Sequence, residues 1–146
     1  MKYSRVQVLF ICSGNSPRSQ MAEGLLRTMG KGTVDAYSAG TEPKSVHPLA
    51  IQTMRDIDID ISHHRSKAVD EFLEQQFDFV ISVCARAAEQ CPAWPRGEQI
   101  RWHFDDPAET TGSEEQKLAV FRRVRNEIRQ RIGLFLLANR IVTSAS

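Results

Sequence analysis

Val6-Gln7-Val8-Leu9-Phe10-Ile11 runs straight into Cys12-Ser13-Gly14-Asn15-Ser16-Pro17-Arg18-Ser19, and that into Gln20-Met21-Ala22-Glu23-Gly24-Leu25-Leu26. An apolar strand-like run, a thiol, five residues, an arginine and then a helical pattern are the parts of an oxyanion-binding nucleophile loop. Such a loop wraps backbone N–H groups around a tetrahedral anion, and the following helix adds the positive end of its dipole. Arg18 has the planar fork that grips two anion oxygens. The same positive field favours the thiolate of Cys12, the reactive form of a cysteine.

The rest of the chain fits a single domain over residues 1–146, large enough for a hydrophobic core without disulfide staples. A net charge of +1 gives no footprint for nucleic acid or an acidic membrane surface. No stretch approaches the ~18 apolar residues of a membrane span. Met1-Lys2 and the run to Cys12 imitate a lipoprotein signal. The run is short, however, is broken by Gln7, and puts Ile11 rather than a small residue before the cysteine. The expectation is a cytoplasmic protein whose three cysteines serve chemistry rather than structure. No cysteine or histidine pair has the short spacing of a structural zinc site, so no metal is expected.

Strands are expected near 5–11, 33–38, 77–83 and 98–103, with helices near 18–30, 47–56 and 68–75 and a shorter one after Cys84. A long helix from about Ser113 to Asn139 shows Leu118, Phe121, Val124, Ile128, Ile132 and Phe135 at three- and four-residue intervals. Ser113 with Glu114, Glu115 and Gln116 reads as its N-cap and first turn. Strands alternating with helices predict an α/β, three-layer fold, a four-stranded parallel sheet with helices on both faces. Ligands in such sheets bind beyond the carboxyl ends of the strands. Cys12, Cys84 and Asp105-Asp106 all fall just past such ends.

The loop with Gln20-Met21-Ala22-Glu23 resembles the low-molecular-weight tyrosine phosphatases and, more closely, the thioredoxin-coupled arsenate reductases built on that fold. The resemblance continues at Tyr37-Ser38-Ala39-Gly40, Asp60-Ile61-Ser62-His63, Cys84 with Cys91-Pro92, and Phe104-Asp105-Asp106-Pro107-Ala108. The phosphatase branch follows its Asp-Pro with a pair of tyrosines, whereas here Ala108-Glu109-Thr110 follows, and that branch has no use for Cys84 and Cys91. The alternative, a phosphatase working through a Cys12 phosphocysteine, needs only Cys12, Arg18 and Asp106.

The resemblance implies arsenate as substrate, with phosphate and sulfate as competing oxyanions held by Ser13, Gly14, Asn15, Ser16, Arg18 and Ser19. It implies attack by Cys12, a Cys12–Cys84 disulfide, transfer to Cys84–Cys91, and reduction by an external thiol reductant, thioredoxin or glutaredoxin, with no bound cofactor. Asp106 matches the general acid, and Ser19 the hydroxyl that bonds the thiolate. Taken alone, Cys84 also suits a buried strand end and Cys91 an inert loop. In one regular helix seven residues would separate their sulfurs by ~10 Å along the axis, whereas a disulfide needs Cα atoms within about 7 Å. The segment between them is therefore expected to unwind on oxidation. Some relatives hold potassium through positions matching Asn15, Glu23, Ser38 and an acidic residue. That last position is Lys67 here, whose ammonium is expected to pair with Glu23. Pro17 removes one loop N–H. The histidines carry ordinary readings: His47 near a helix start, His63 and His64 before a polar turn, His103 at a strand end. Nothing in the sequence requires more than a monomer.

Overall fold

The computed structural model describes residues 5–14, 17–90 and 97–141. Four parallel strands, β1 (Val6–Cys12), β2 (Val34–Gly40), β3 (Phe79–Ser82) and β4 (Glu98–Arg101), lie in the order β2-β1-β3-β4. Around them lie α1 (Arg18–Gly30), α2 (Pro48–Arg55), α3 (Ala85–Gln90) and α4 (Glu114–Ala138), with 3₁₀ turns at Val69–Phe72 and Pro107–Glu109. The expected fold class is the one observed. Because β1 pairs with β2 on one side and β3 on the other, the chain reverses direction beside β1. That reversal opens the crevice in which α/β sheets bind ligands.

The two faces of the sheet have separate aromatic cores. On one, Phe79 and Trp102 meet Phe135 of α4 at 4.9 and 5.8 Å between ring centres, and Phe10 meets Trp102 at 6.0 Å. On the other, Tyr37 packs edge-on against Phe72 and Phe77 at 5.8 and 5.7 Å. These tilted and edge-on contacts add to the apolar area each ring removes from water. Helices α1, α2 and α4 pack on one another. Gly24 sets their closeness: a Cβ there would lie 2.8 Å from Ile61 Cγ2 and 3.2 Å from Met54 Cε.

Helix α4 starts where its sequence directs. Ser113 Oγ accepts from Gln116 N at 3.2 Å, and Gln116 Oε1 accepts from Ser113 N at 2.8 Å. Phe121, Val124, Ile128, Ile132 and Phe135 form its buried stripe. The helix expected over 68–75 is instead a single 3₁₀ turn. Glu71 is held by Arg65 at 2.7 Å and by Ala68 N at 3.3 Å, and Gln75 N reaches Phe72 O at 3.0 Å, a three-residue span. Buried Val69 and Phe72 are three apart, which suits a 3₁₀ turn, and the chain then delivers Phe77 to Tyr37. The fourth strand ends earlier than expected, because Trp102 turns into the core after donating to Ser82 O at 2.8 Å.

Candidate active site

Cys12 is the last residue of β1 and is fully buried, its Sγ 2.8 Å from the hydroxyl of Ser19 in the first turn of α1. A hydroxyl at that distance can donate to a thiolate. Pro17, in helical φ/ψ, occupies the cap position of α1 with no side-chain cap, and its carbonyl accepts from Met21 N at 2.9 Å. The missing N–H of Pro17 therefore falls at a helix start, where proline's fixed φ suits the turn.

Arg18 is buried, with its guanidinium tied on two sides. One terminal nitrogen donates to Phe104 O at 3.0 Å, and the other lies 3.5 Å from Asp106 Oδ2. Its Nε–H is buried without a partner among the described residues. A buried donor without an acceptor costs about 1–3 kcal/mol, a cost that an anion oxygen removes. Asp106 caps the 3₁₀ turn that follows, its Oδ1 accepting from Ala108 N at 3.0 Å. The fork and the carboxylate are thus set against each other before any ligand arrives.

Above them opens a cavity of about 550 Å³. Ser13, Gly14, Pro17 and Arg18 line it from the anion loop, Cys84 and Ala85 from β3–α3, and His103 to Asp106 with Glu109 from the loop after β4. Cys84 is buried and free, its sulfur 3.6 Å from Ser13 Oγ and receiving Ala87 N–H at 3.4 Å. The second thiol therefore sits one side chain away from the residue following Cys12. A smaller cavity of about 190 Å³, lined by Trp102 and Arg101, also reaches Cys84.

The sequence reading missed a third wall, the loop between β2 and α2. Glu42 N and Lys44 N donate to the carbonyls of Ser13 and Gly14 at 2.7 and 2.8 Å, and Lys44 and His47 line the cavity. His47 also caps α2, its Nδ1 accepting from Leu49 N at 3.1 Å, so its neutral ring carries the proton on Nε2. Burial pushes the His47 pKa down, with Asp106 opposing and Lys117 adding. The only sequence signal was its place before Pro48. Gly14 has no left-handed φ, and a Cβ there would touch only the stem of Lys44 at 3.6–3.8 Å.

Beneath the loop lies a buried ionic cluster centred on Glu23. Ser38 Oγ donates to it at 2.7 Å, with Arg27 at 3.1 Å, Lys67 at 3.5 Å and His64 Nε2 at 3.3 Å. The expected Lys67–Glu23 pair is present. His64, given an ordinary reading from sequence, is a buried member of this cluster. The Gln20 amide donates to Arg65 O at 3.0 Å, so its oxygen faces His64 Nδ1 at 2.8 Å and takes a proton from it. Nε2 lies between Glu23 Oε2 at 3.3 Å and Arg27 Nη1 at 3.4 Å. Burial drives the His64 pKa down although Glu23 pulls it up.

Asn15, Ser16 and Cys91, as well as Trp94, lie outside the described residues. Among the described residues no group of three or more His, Cys, Asp or Glu side chains converges on a metal position, and no helix is long and apolar enough to cross a membrane.

Residues 7–143 match the low molecular weight phosphotyrosine protein phosphatase family. An arsenate reductase of Halalkalibacterium halodurans is 48% identical over 129 residues, covering 88% of this chain and 93% of that protein. One of Bacillus subtilis is 41% identical over 129 residues, covering 88% and 93%. In three dimensions the chain is similar to an arsenate reductase in the phosphate binding state, with a TM-score of 0.79, 36% identity, and 94% and 99% of the two chains covered. A low molecular weight protein tyrosine phosphatase from T. tengcongensis, at 24% identity and a TM-score of 0.76, shares the fold.

Proposed function

The chain belongs to the low molecular weight phosphotyrosine protein phosphatase family, among its arsenate reductases, and we propose that it reduces arsenate to arsenite by a relay through Cys12, Cys84 and Cys91. The observation that carries this reading is Cys84, a buried free thiol within 3.6 Å of the anion loop. Phosphoester hydrolysis has no role for it.

The Cys12 thiolate attacks arsenic(V) in the loop, while Arg18 holds two oxygens and Asp106 delivers the proton that lets one oxygen leave as water. The Cys84 thiolate then attacks the Cys12 sulfur. The electron pair of the S–As bond passes to arsenic, which departs as arsenite and leaves a Cys12–Cys84 disulfide. Cys91 attacks Cys84, releasing the Cys12 thiolate and forming Cys84–Cys91. An external dithiol takes over that bond, each transfer being thiol–disulfide exchange. Thioredoxin fits as the dithiol, a solved neighbour at 27% identity being described as a thioredoxin-dependent arsenate reductase; glutaredoxin is the other candidate. No bound cofactor is needed, phosphate and sulfate compete, and the enzyme works as a cytoplasmic monomer. Weak phosphatase activity follows from Cys12, Arg18 and Asp106 alone.

The test is arsenate-dependent NADPH oxidation with thioredoxin and its reductase. Turnover in the wild type and loss in Cys12→Ser, Cys84→Ser and Cys91→Ser is expected. Brisk para-nitrophenyl phosphate cleavage without arsenate turnover, surviving loss of Cys84 and Cys91, would make it a phosphatase.

A further inference from the structure

The charges around the cavity are unbalanced for an anion site. Asp105, Asp106 and Glu109 line it, and the cations among its lining residues are Arg18 and Lys44, with Arg123 of α4 offsetting Asp105 at 3.1 Å. Arg18 is buried and engaged with Phe104 O and Asp106. Burial holds His47 toward its neutral form, so it adds no dependable charge. With Asp105 offset by Arg123 and Asp106 by Arg18, Glu109 still leaves the mouth net negative without Lys44.

Lys44 is held to the anion loop through its backbone. Its N–H donates to Gly14 O at 2.8 Å, and its Cβ, Cγ and Cδ lie 3.6–3.8 Å from the Cβ position of Gly14. Its stem runs past Gly14 of the anion loop, and the side chain is exposed where the residue lines the cavity.

We infer that Lys44 is a substrate-binding residue of this site, a second cation that draws small inorganic dianions such as arsenate and phosphate past the carboxylates of the cavity mouth. The inference rests on the oxyanion-site reading above. A partly exposed charge acts through a screened field, so its effect is moderate and dependent on salt.

The experiment measures binding of inorganic phosphate to the reduced protein by calorimetry at two salt concentrations, with the KM and kcat for arsenate alongside. Lys44→Gln should weaken phosphate about three- to tenfold at low salt and raise the KM while kcat holds. Lys44→Glu should weaken it further, Lys44→Arg should stay within about twofold, and the salt dependence should flatten in Lys44→Gln. Phosphate affinities and salt dependences equal in wild type, Lys44→Gln and Lys44→Glu would overturn the inference while leaving the reductase reading intact. Weaker phosphate in Lys44→Gln, in a protein that never turns over arsenate, would uphold Lys44 and overturn the reductase reading.

Discussion

Cys12 and Cys84 border one cavity but are seated in contrasting ways. Cys12 ends a seven-residue strand paired on both sides and is followed, after the five residues of the anion loop, by a thirteen-residue helix whose first nine residues are all buried. Its neighbours are fixed in turn: Ser19 on its sulfur, Arg18 on Phe104 O and Asp106, Glu23 among Ser38, Arg27 and Lys67. Cys84 leads into α3, a helix of six residues. Its sulfur is held by one backbone N–H and one hydroxyl. Binding an oxyanion needs donors fixed before the anion arrives. In the proposed relay, the thiol that meets first Cys12 and then Cys91 needs the opposite, a seat that can open. The division of rigidity follows the division of chemistry.

Two proline substitutions test this contrast most severely. Leu25→Pro in α1 removes a helical hydrogen bond and a fully packed side chain, at a cost above ~3 kcal/mol for the kink alone, and the protein should not fold. Glu89→Pro, at an exposed position in α3, carries the same intrinsic penalty. Its effect on global stability is limited by the free energy of opening α3 alone, because local unfolding relieves the strain. A fall of about 1 kcal/mol or less in urea unfolding is expected. A comparable collapse in both variants would mean that α3 is as integral as α1.

The next test asks whether geometry or charge makes the rigid side work. Arg18→Lys keeps the positive charge but loses the fork that bridges Phe104 O and Asp106. Arsenate turnover should fall by about 10²–10³-fold in steady-state kinetics, with thermal stability little changed. Lysine working within tenfold of arginine would show that the seat needs only charge.

How much of this contrast the sequence discloses depends on contiguity. The anion loop, the strand before it and the Ser113–Gln116 box are each continuous in the chain, so their residue types alone place them. The Lys67–Glu23 pair was legible only through family resemblance. Lys44 and His47 were not legible as cavity residues, because two backbone bonds to Ser13 and Gly14 bring their loop to the site and backbone bonds leave no mark on side-chain pattern. His64 escaped for a related reason: its partners Gln20 and Glu23 lie more than forty residues earlier, and only folding shows that its ring is enclosed. The helix expected at 68–75 failed because Glu71 and Gln75, good helix formers, were overruled by the need to bring Phe72 and Phe77 to one aromatic cluster.

The buried cluster under the loop gives a smaller but sharper test. Glu23→Gln removes the carboxylate that faces Lys67, Arg27 and the His64 ring, so these groups lose its charge. Roughly 2–3 kcal/mol of stability should go, and pairing it with Lys67→Met should restore part of the loss. With the Lys67 ammonium beside Glu23, arsenate turnover should be the same in potassium and sodium chloride. A clear rise with potassium would show that Lys67 does not stand in for the ion.

The smallest effect concerns pH and separates the two histidines from the carboxylates. His47 and His64 both have folded pKa values below the ordinary histidine value near 6.5, each through burial first. As pH falls below about 6.5 the unfolded chain takes up these protons before the folded one does. Stability should therefore be level above that point and decline beneath it. Asp35 and Glu71 have carboxyls held low by hydrogen bonds, from Gln7 and Arg65 respectively, and their losses belong to a separate window near pH 4 and below. His47→Asn keeps a side-chain oxygen to cap Leu49 N but cannot titrate, and His64→Gln removes the enclosed ring. Chemical denaturation between pH 7.5 and about 5 should show a shallower decline in each variant than in the wild type. A slope unchanged in His64→Gln alone would mean that the ring is charged within the Glu23 cluster, and that the rigid side of the site is held by an ion pair at His64 rather than by a neutral hydrogen-bond relay.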